Sequence, residues 1–130
     1  MKEPEWLEER TILAFHSEQI AEHGGKDGLR DIGMLRSALA RPQNVFAYVA
    51  TEPTLARLAA EYAFGIARNH PFADGNKRTA YLAARAFLLL NGADLNATKE
   101  DKYRVIYSLA EGTLSLENLI DWFEKHTVVY

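Results

Sequence analysis

From Ala80 to Leu90 every residue but Arg85 is apolar. A helix that is apolar all round has no face to give to water and is buried on every side. The spacing therefore predicts a central helix here, with the rest of the chain arranged to cover it. Arg85 is the one charge within it, and a lone buried charge is costly. It is expected to reach a carboxylate, a carbonyl or the edge of a site. Ahead of this segment, Leu55, Leu58, Ala59, Tyr62, Ala63 and Ile66 recur at helical spacing. Two packed helices are thus joined by a short polar stretch, His70-Pro71-Phe72-Ala73-Asp74-Gly75-Asn76-Lys77-Arg78.

That stretch is dense in chemistry. Gly75 and Asn76 lie where the second helix should start, and the first backbone N–H groups of a helix point outward unpaired, a natural anion site. Gly75 lets backbone approach a ligand closely. Lys77 and Arg78 add cations at the end of the helix where its dipole favours anions. Two cations on a positive helix end point to an absent anion, and phosphate fits best. Asp74 offers oxygen to Mg²⁺, which binds one or two carboxylates plus substrate phosphates. His70 is of the residue type that exchanges protons near neutral pH. Phe72 points into the core and fixes the loop. A helix–loop–helix corner whose polar residues only cap and solvate would not need the whole set.

The remaining chain reads as further helices. The first runs from about Glu5 to His23, with Pro4 near its first turn and Gly24-Gly25 ending it. His16 shares a face with Leu13 and Ile20 and is read as an interior histidine rather than a ligand. Gly24 to Asp31 is a loop whose glycines serve turns and caps, since their spacing fits no phosphate loop. Asp31 caps a second helix carrying Met34, Leu35, Ala38 and Leu39, expected to end near Arg41-Pro42 because the residue before proline avoids helical angles. Pro42 to Pro53 is either a short helix or an extended cover for the core. Asn91-Gly92 stops the central helix, and Asp94 to Thr98 forms a turn. A fifth helix spans about Lys99 to Glu111, a sixth starts near Ser115, and Thr127 to Tyr130 is a loose tail. His126 has no partner visible in the sequence. Helix should reach at least ~60%, against about a third in ordinary globular proteins.

One hundred and thirty residues make one domain with one core. A net charge of −3 argues against a general nucleic-acid surface. The chain has no cysteine, which removes disulfides, thiol catalysis and cysteine-bound zinc and suits the cytoplasm. Met1 to Glu5 lacks the apolar run of a signal peptide, and the run near Leu88 is too short to span a membrane.

His70, Phe72, Asp74, Asn76, Lys77 and Arg78 together resemble the signature His-x-Phe-x-Asp-x-Asn-Lys-Arg of the Fic/Doc superfamily, and more closely its death-on-curing (Doc) toxin branch. Six residue types fixed within nine positions is a specific match. Fic adenylyltransferases usually carry glycine at the position of Lys77 and a second arginine three residues after Arg78, where this chain has Tyr81. Both departures favour Doc, whereas Gly75 is more Fic-like. The resemblance runs from about Trp6 to Lys125. It implies an all-α, single-domain bundle of about six helices with a buried central helix. It implies a toxin of a toxin–antitoxin pair that moves the γ-phosphate of ATP to a threonine of elongation factor Tu and arrests translation. His70 would take the proton of the target hydroxyl. Asp74 would hold Mg²⁺. Gly75, Asn76, Lys77, Arg78 and the helix start would hold the phosphates, with Arg68 assisting. Pro42 to Pro53 would be the flap that docks the target. The alternatives are AMP transfer, as in Fic enzymes, or a catalytically weak module that captures an antitoxin. The partner implied is a small antitoxin whose C-terminal segment folds onto the toxin. Thr113 to Asn118 loosely matches the inhibitory helix of self-restrained Fic enzymes, but Ser115 and Glu117 are what any helix start would use.

Overall fold

The computed structural model describes residues 2–49 and 52–130. Its elements are α1 (Glu9–His23), α2 (Ile32–Tyr48), α3 (Leu55–Asn69), α4 (Asn76–Leu90), β1 (Ala93–Leu95), α5 (Lys99–Glu111), α6 (Leu116–His126) and β2 (Thr127–Val129). Helix accounts for 68% of the structure, as an all-α fold of about six helices requires.

Four of the helices begin on a short polar side chain. Asp31, Thr54, Thr98 and Ser115 each accept a hydrogen bond from the backbone N–H three residues on, at 3.0–3.1 Å. Each bond satisfies one of the orphan donors at a helix start. Ser115 thus acts as an ordinary cap, with Glu117 in the first turn of α6.

The most deeply buried helix is α3, with ten of its fifteen residues buried. It packs against α2, α4, α5 and α6. Gly65 allows α2 close, since a Cβ there would stand 3.1 Å from Ala38 Cα. The apolar run of α4 is buried along one side only, through Thr79, Ala80, Ala83, Ala84, Phe87 and Leu88, while Leu89 and Leu90 are exposed. The central place expected of α4 therefore belongs to α3. The outer side of α4 faces a cleft instead.

Three boundaries differ from those read in the sequence. Helix α1 starts at Glu9 rather than Glu5, because residues 5–7 are tied elsewhere. Glu5 N donates to Asn91 Oδ1, Asn91 Nδ2 donates back to Glu5 O, and Leu7 N donates to the Tyr62 hydroxyl. Trp6 stacks on Phe87. Helix α2 passes through Pro42 to Tyr48. Proline inside a helix costs roughly 3 kcal/mol, and here Pro42 is itself buried in the stripe that Leu35, Ala38 and Leu39 begin and that the half-buried Val45 and Phe46 extend. Of the segment read as cover or flap, Phe46 packs edge-on against Trp6 and Tyr48 is 84% exposed; Ala50 and Thr51 lie outside the described residues. Finally, the expected turn and tail pair as antiparallel strands, Ala93 with Val129 and Leu95 with Thr127. Three consecutive residues of high strand propensity, Thr127, Val128 and Val129, suit this pairing. His126 bonds through Nδ1 to the Trp122 carbonyl, and its Nε2 lies 3.6 Å from Asp101.

Arg85 does reach a carboxylate. Its Nε and a terminal nitrogen donate to both oxygens of Asp94, at 3.0 and 3.2 Å. This pairing, and the backbone N–H of Leu95, hold the Asp94 carboxyl below the usual carboxylate range. A depressed native pKa contributes stability that is complete above the unfolded value, about 3.9, and is lost as pH falls through the native value. Asp94→Asn should therefore flatten the acid limb: between pH 7 and pH 3 the parent should lose more stability in urea than the variant does. Equal losses would mean that the pair contributes nothing.

Candidate active site

Helix α3 ends on Asn69, and His70 caps it in the left-handed conformation, φ 48° and ψ 56°. Among the described residues it is the only non-glycine with positive φ. Such backbone costs on the order of 1–3 kcal/mol and persists only where the surroundings fix it. The glycine-rich loop supplies the fixing. Arg30 Nε donates to His70 O at 2.6 Å, and a terminal nitrogen donates to Asn69 O at 2.8 Å. The backbone N–H groups of Arg30 and Asp31 both reach Pro71 O, and Ala73 N donates to Gly28 O. Leu29 and Phe72 form an isolated antiparallel bridge. The loop read as turns and caps is therefore also a clamp on the polar stretch.

A second anchor comes from α1. Phe72 is 1% exposed and stacks on His16, with ring centroids 3.8 Å apart and 7° between planes. His16 Nε2 donates to Asp74 O at 2.7 Å. His16 is thus the interior histidine read from the sequence, and its task is to hold the loop. Asp74 itself is exposed, and its Oδ2 accepts from Lys26 N at 3.1 Å. Gly25 permits that approach, because a Cβ there would meet Asp74 Oδ2 at 3.1 Å.

Asn76 is buried at the first position of α4, and all of its amide is committed to the loop. Its Oδ1 accepts from Phe72 N at 3.0 Å, and its Nδ2 donates to Phe72 O at 2.9 Å. The same Nδ2 lies 3.2 Å from His70 Nδ1. So the side chain of Asn76 is occupied with orienting His70, and the α4 start presents its backbone N–H groups. Gly75, at φ +77°, is the N-cap of α4. The positive φ favours glycine there before any ligand is considered, and a Cβ would also come within 3.3 Å of Ile20 Cδ1.

The cations lie around this core in different directions. Lys77 turns from the helix start toward α5, with Nζ 4.9 Å from the Tyr107 ring centre and 5.6 Å from that of Tyr103. Arg78 is exposed. Lys77 and Arg78 border a cleft of about 690 Å³ between α1, α4 and α5, whose walls also carry Lys99, Lys102, Tyr81 and Tyr103. None of the residues lining it is a carboxylate. On a chain of net charge −3, four cations around one cleft suit an anionic ligand. Arg68 points away, with its guanidinium over the Phe64 ring and donating to Leu114 O at 3.3 Å. No group of three metal-ligating side chains occurs among the described residues, around Asp74 or elsewhere. Such a sparse ligand set suits an ion held mainly by substrate phosphates.

Arg30 and His16 act on the loop from elsewhere in the chain. A short-range pattern contains neither, and only a resemblance extending over the first helices could have marked them. Arg30→Ala removes two charge-assisted bonds from an exposed position. It should cost on the order of 1 kcal/mol in stability. It should lower activity by more than that loss of folded protein explains, because His70 is then free to leave its left-handed cap. Unchanged turnover per folded molecule would contradict this.

A model of the Fic/DOC family matches residues 6–88. The chain belongs to the Fic/Doc family. It is 44% identical over 93 residues to Toxin Doc of Mycolicibacterium smegmatis, an alignment covering 72% of this chain and 69% of that protein. It is 32% identical over 114 residues to Protein kinase doc of Escherichia phage P1, covering 88% of this chain and 89% of that one.

Proposed function

We propose that this chain is the toxin of a toxin–antitoxin pair and transfers the γ-phosphoryl group of ATP to a hydroxyl of a target protein. The observation that carries the proposal is the coupling of His70 to the start of α4 through Asn76. It places an imidazole that can exchange a proton and an anion site on one loop. Phosphoryl transfer asks for little else, since its catalysis is chiefly positioning and charge stabilisation. The hydroxyl oxygen forms the new bond to the γ-phosphorus. The bridging P–O bond breaks, ADP leaves, and the hydroxyl proton passes to His70 Nε2. The α4 N–H groups and Arg78 neutralise the phosphates, and Lys77 joins them by leaving its tyrosines. Asp74 is the residue that would hold Mg²⁺, whose charge would help to neutralise the phosphates.

The two relatives named as Doc proteins, one as a toxin and one as a protein kinase, support this reading. So does lysine rather than glycine at position 77. Gly75 does not favour AMP transfer, because the geometry of α1 and α4 accounts for it. The target by resemblance is a threonine of elongation factor Tu, and the partner is an antitoxin whose C-terminal segment covers the toxin. Such a target places the protein in the cytoplasm, and no described helix is long and apolar enough to cross a membrane.

Expression of the chain alone in a bacterial host tests the reading. Growth should stop, His70→Ala should relieve the arrest, and co-expression of the neighbouring antitoxin should restore growth. Arrest that persists in a folded His70→Ala variant would favour a binding module that acts without catalysis.

A further inference from the structure

The amide of Asn76 cannot be turned over. With Oδ1 on Phe72 N and Nδ2 on Phe72 O, at 3.0 and 2.9 Å, a flip would set oxygen against oxygen and N–H against N–H. Nδ2 therefore has one hydrogen left, and the atom it meets at 3.2 Å is His70 Nδ1. A nitrogen that receives a hydrogen bond must offer a lone pair, so a neutral ring in this contact carries its proton on the other nitrogen. We infer that Asn76 is a positioning residue that holds His70 of the resting protein in the tautomer protonated at Nε2.

The consequence for the proposed chemistry, on which only this part of the inference rests, is direct. In the resting loop the outward nitrogen is a donor. It can bind the oxygen of an incoming hydroxyl or a phosphate, but it cannot take a proton. To act as the base, the ring must carry its proton on Nδ1 and give up the Asn76 contact. One neutral hydrogen bond biases such an equilibrium by only about two- to tenfold. That is small against the roughly 10²–10⁴ supplied by a placed base, so the base-competent tautomer remains within reach once substrate favours it.

The test needs no substrate. The protein is labelled with ¹⁵N at histidine, His70 is assigned by its loss in His70→Ala, and ring correlations are recorded at a pH where the ring is neutral. The expected result is proton-bearing Nε2 and bare Nδ1. In Asn76→Asp the carboxylate offers acceptors only, and the proton should move to Nδ1. A wild-type ring protonated at Nδ1 would overturn the inference even if Asn76→Asp fails to fold. An unchanged tautomer in a folded Asn76→Asp would overturn the role given to Asn76. Neither outcome bears on phosphoryl transfer, which the growth assay tests separately.

Discussion

His70→Ala should lower transfer by about 10² to 10⁴ while the protein stays folded, the range typical for loss of a placed general acid or base. The side chain is exposed, so no core packing is lost. Its removal costs the loop one contact, the 3.2 Å approach of Asn76, while Arg30, Gly28 and His16 still clamp the backbone. Circular dichroism and the thermal midpoint should therefore stay near those of the parent. Full activity in the variant would make His70 a structural cap and would dismiss the mechanism. A collapsed midpoint would instead mean that the ring carries part of the fold.

Phe72→Ala should be the most damaging single change to stability within the loop. Its side chain is fully buried and stacked on His16. Phenylalanine-to-alanine changes in cores cost about 3–5 kcal/mol, a large share of a typical total of about 5–15 kcal/mol. For a chain of this size that corresponds to a drop of very roughly 10–20 °C in the midpoint. Activity should fall further than the folded fraction does, because the ring holds Pro71, Ala73 and the Asn76 clamp in place. A midpoint within a degree or two of the parent would show that the loop is not built on the core.

Much of this architecture is written locally and could be read there. Asp31 and Ser115 announce their helices because a short oxygen before an apolar run satisfies a donor that nothing else can. Arg85 announced a partner because its charge could not be left alone, though only the structure identifies Asp94. The misread features were those decided at a distance. Glu5 to Leu7 could have been helix by composition, but Asn91 and Tyr62 bind their backbone outside it. Pro42 would have stopped an isolated helix, and burial against the core overrode it. The tail became a strand only because Ala93 to Leu95 lay beside it. The chemistry from His70 to Arg78 was legible as one compact pattern. The supports from Arg30, forty residues before His70, and from His16 were not. Nor was the direction of Lys77, which Tyr103 and Tyr107 decide.

Transfer of label from ATP tests the central claim most directly. Purified protein is incubated with cell extract, Mg²⁺ and ATP labelled on either the α- or the γ-phosphate, with His70→Ala run alongside. The account predicts γ-label on a target protein, no α-label, and neither in the variant. Label from the α-phosphate, and none from the γ-phosphate, would contradict it and make the chain an AMP transferase.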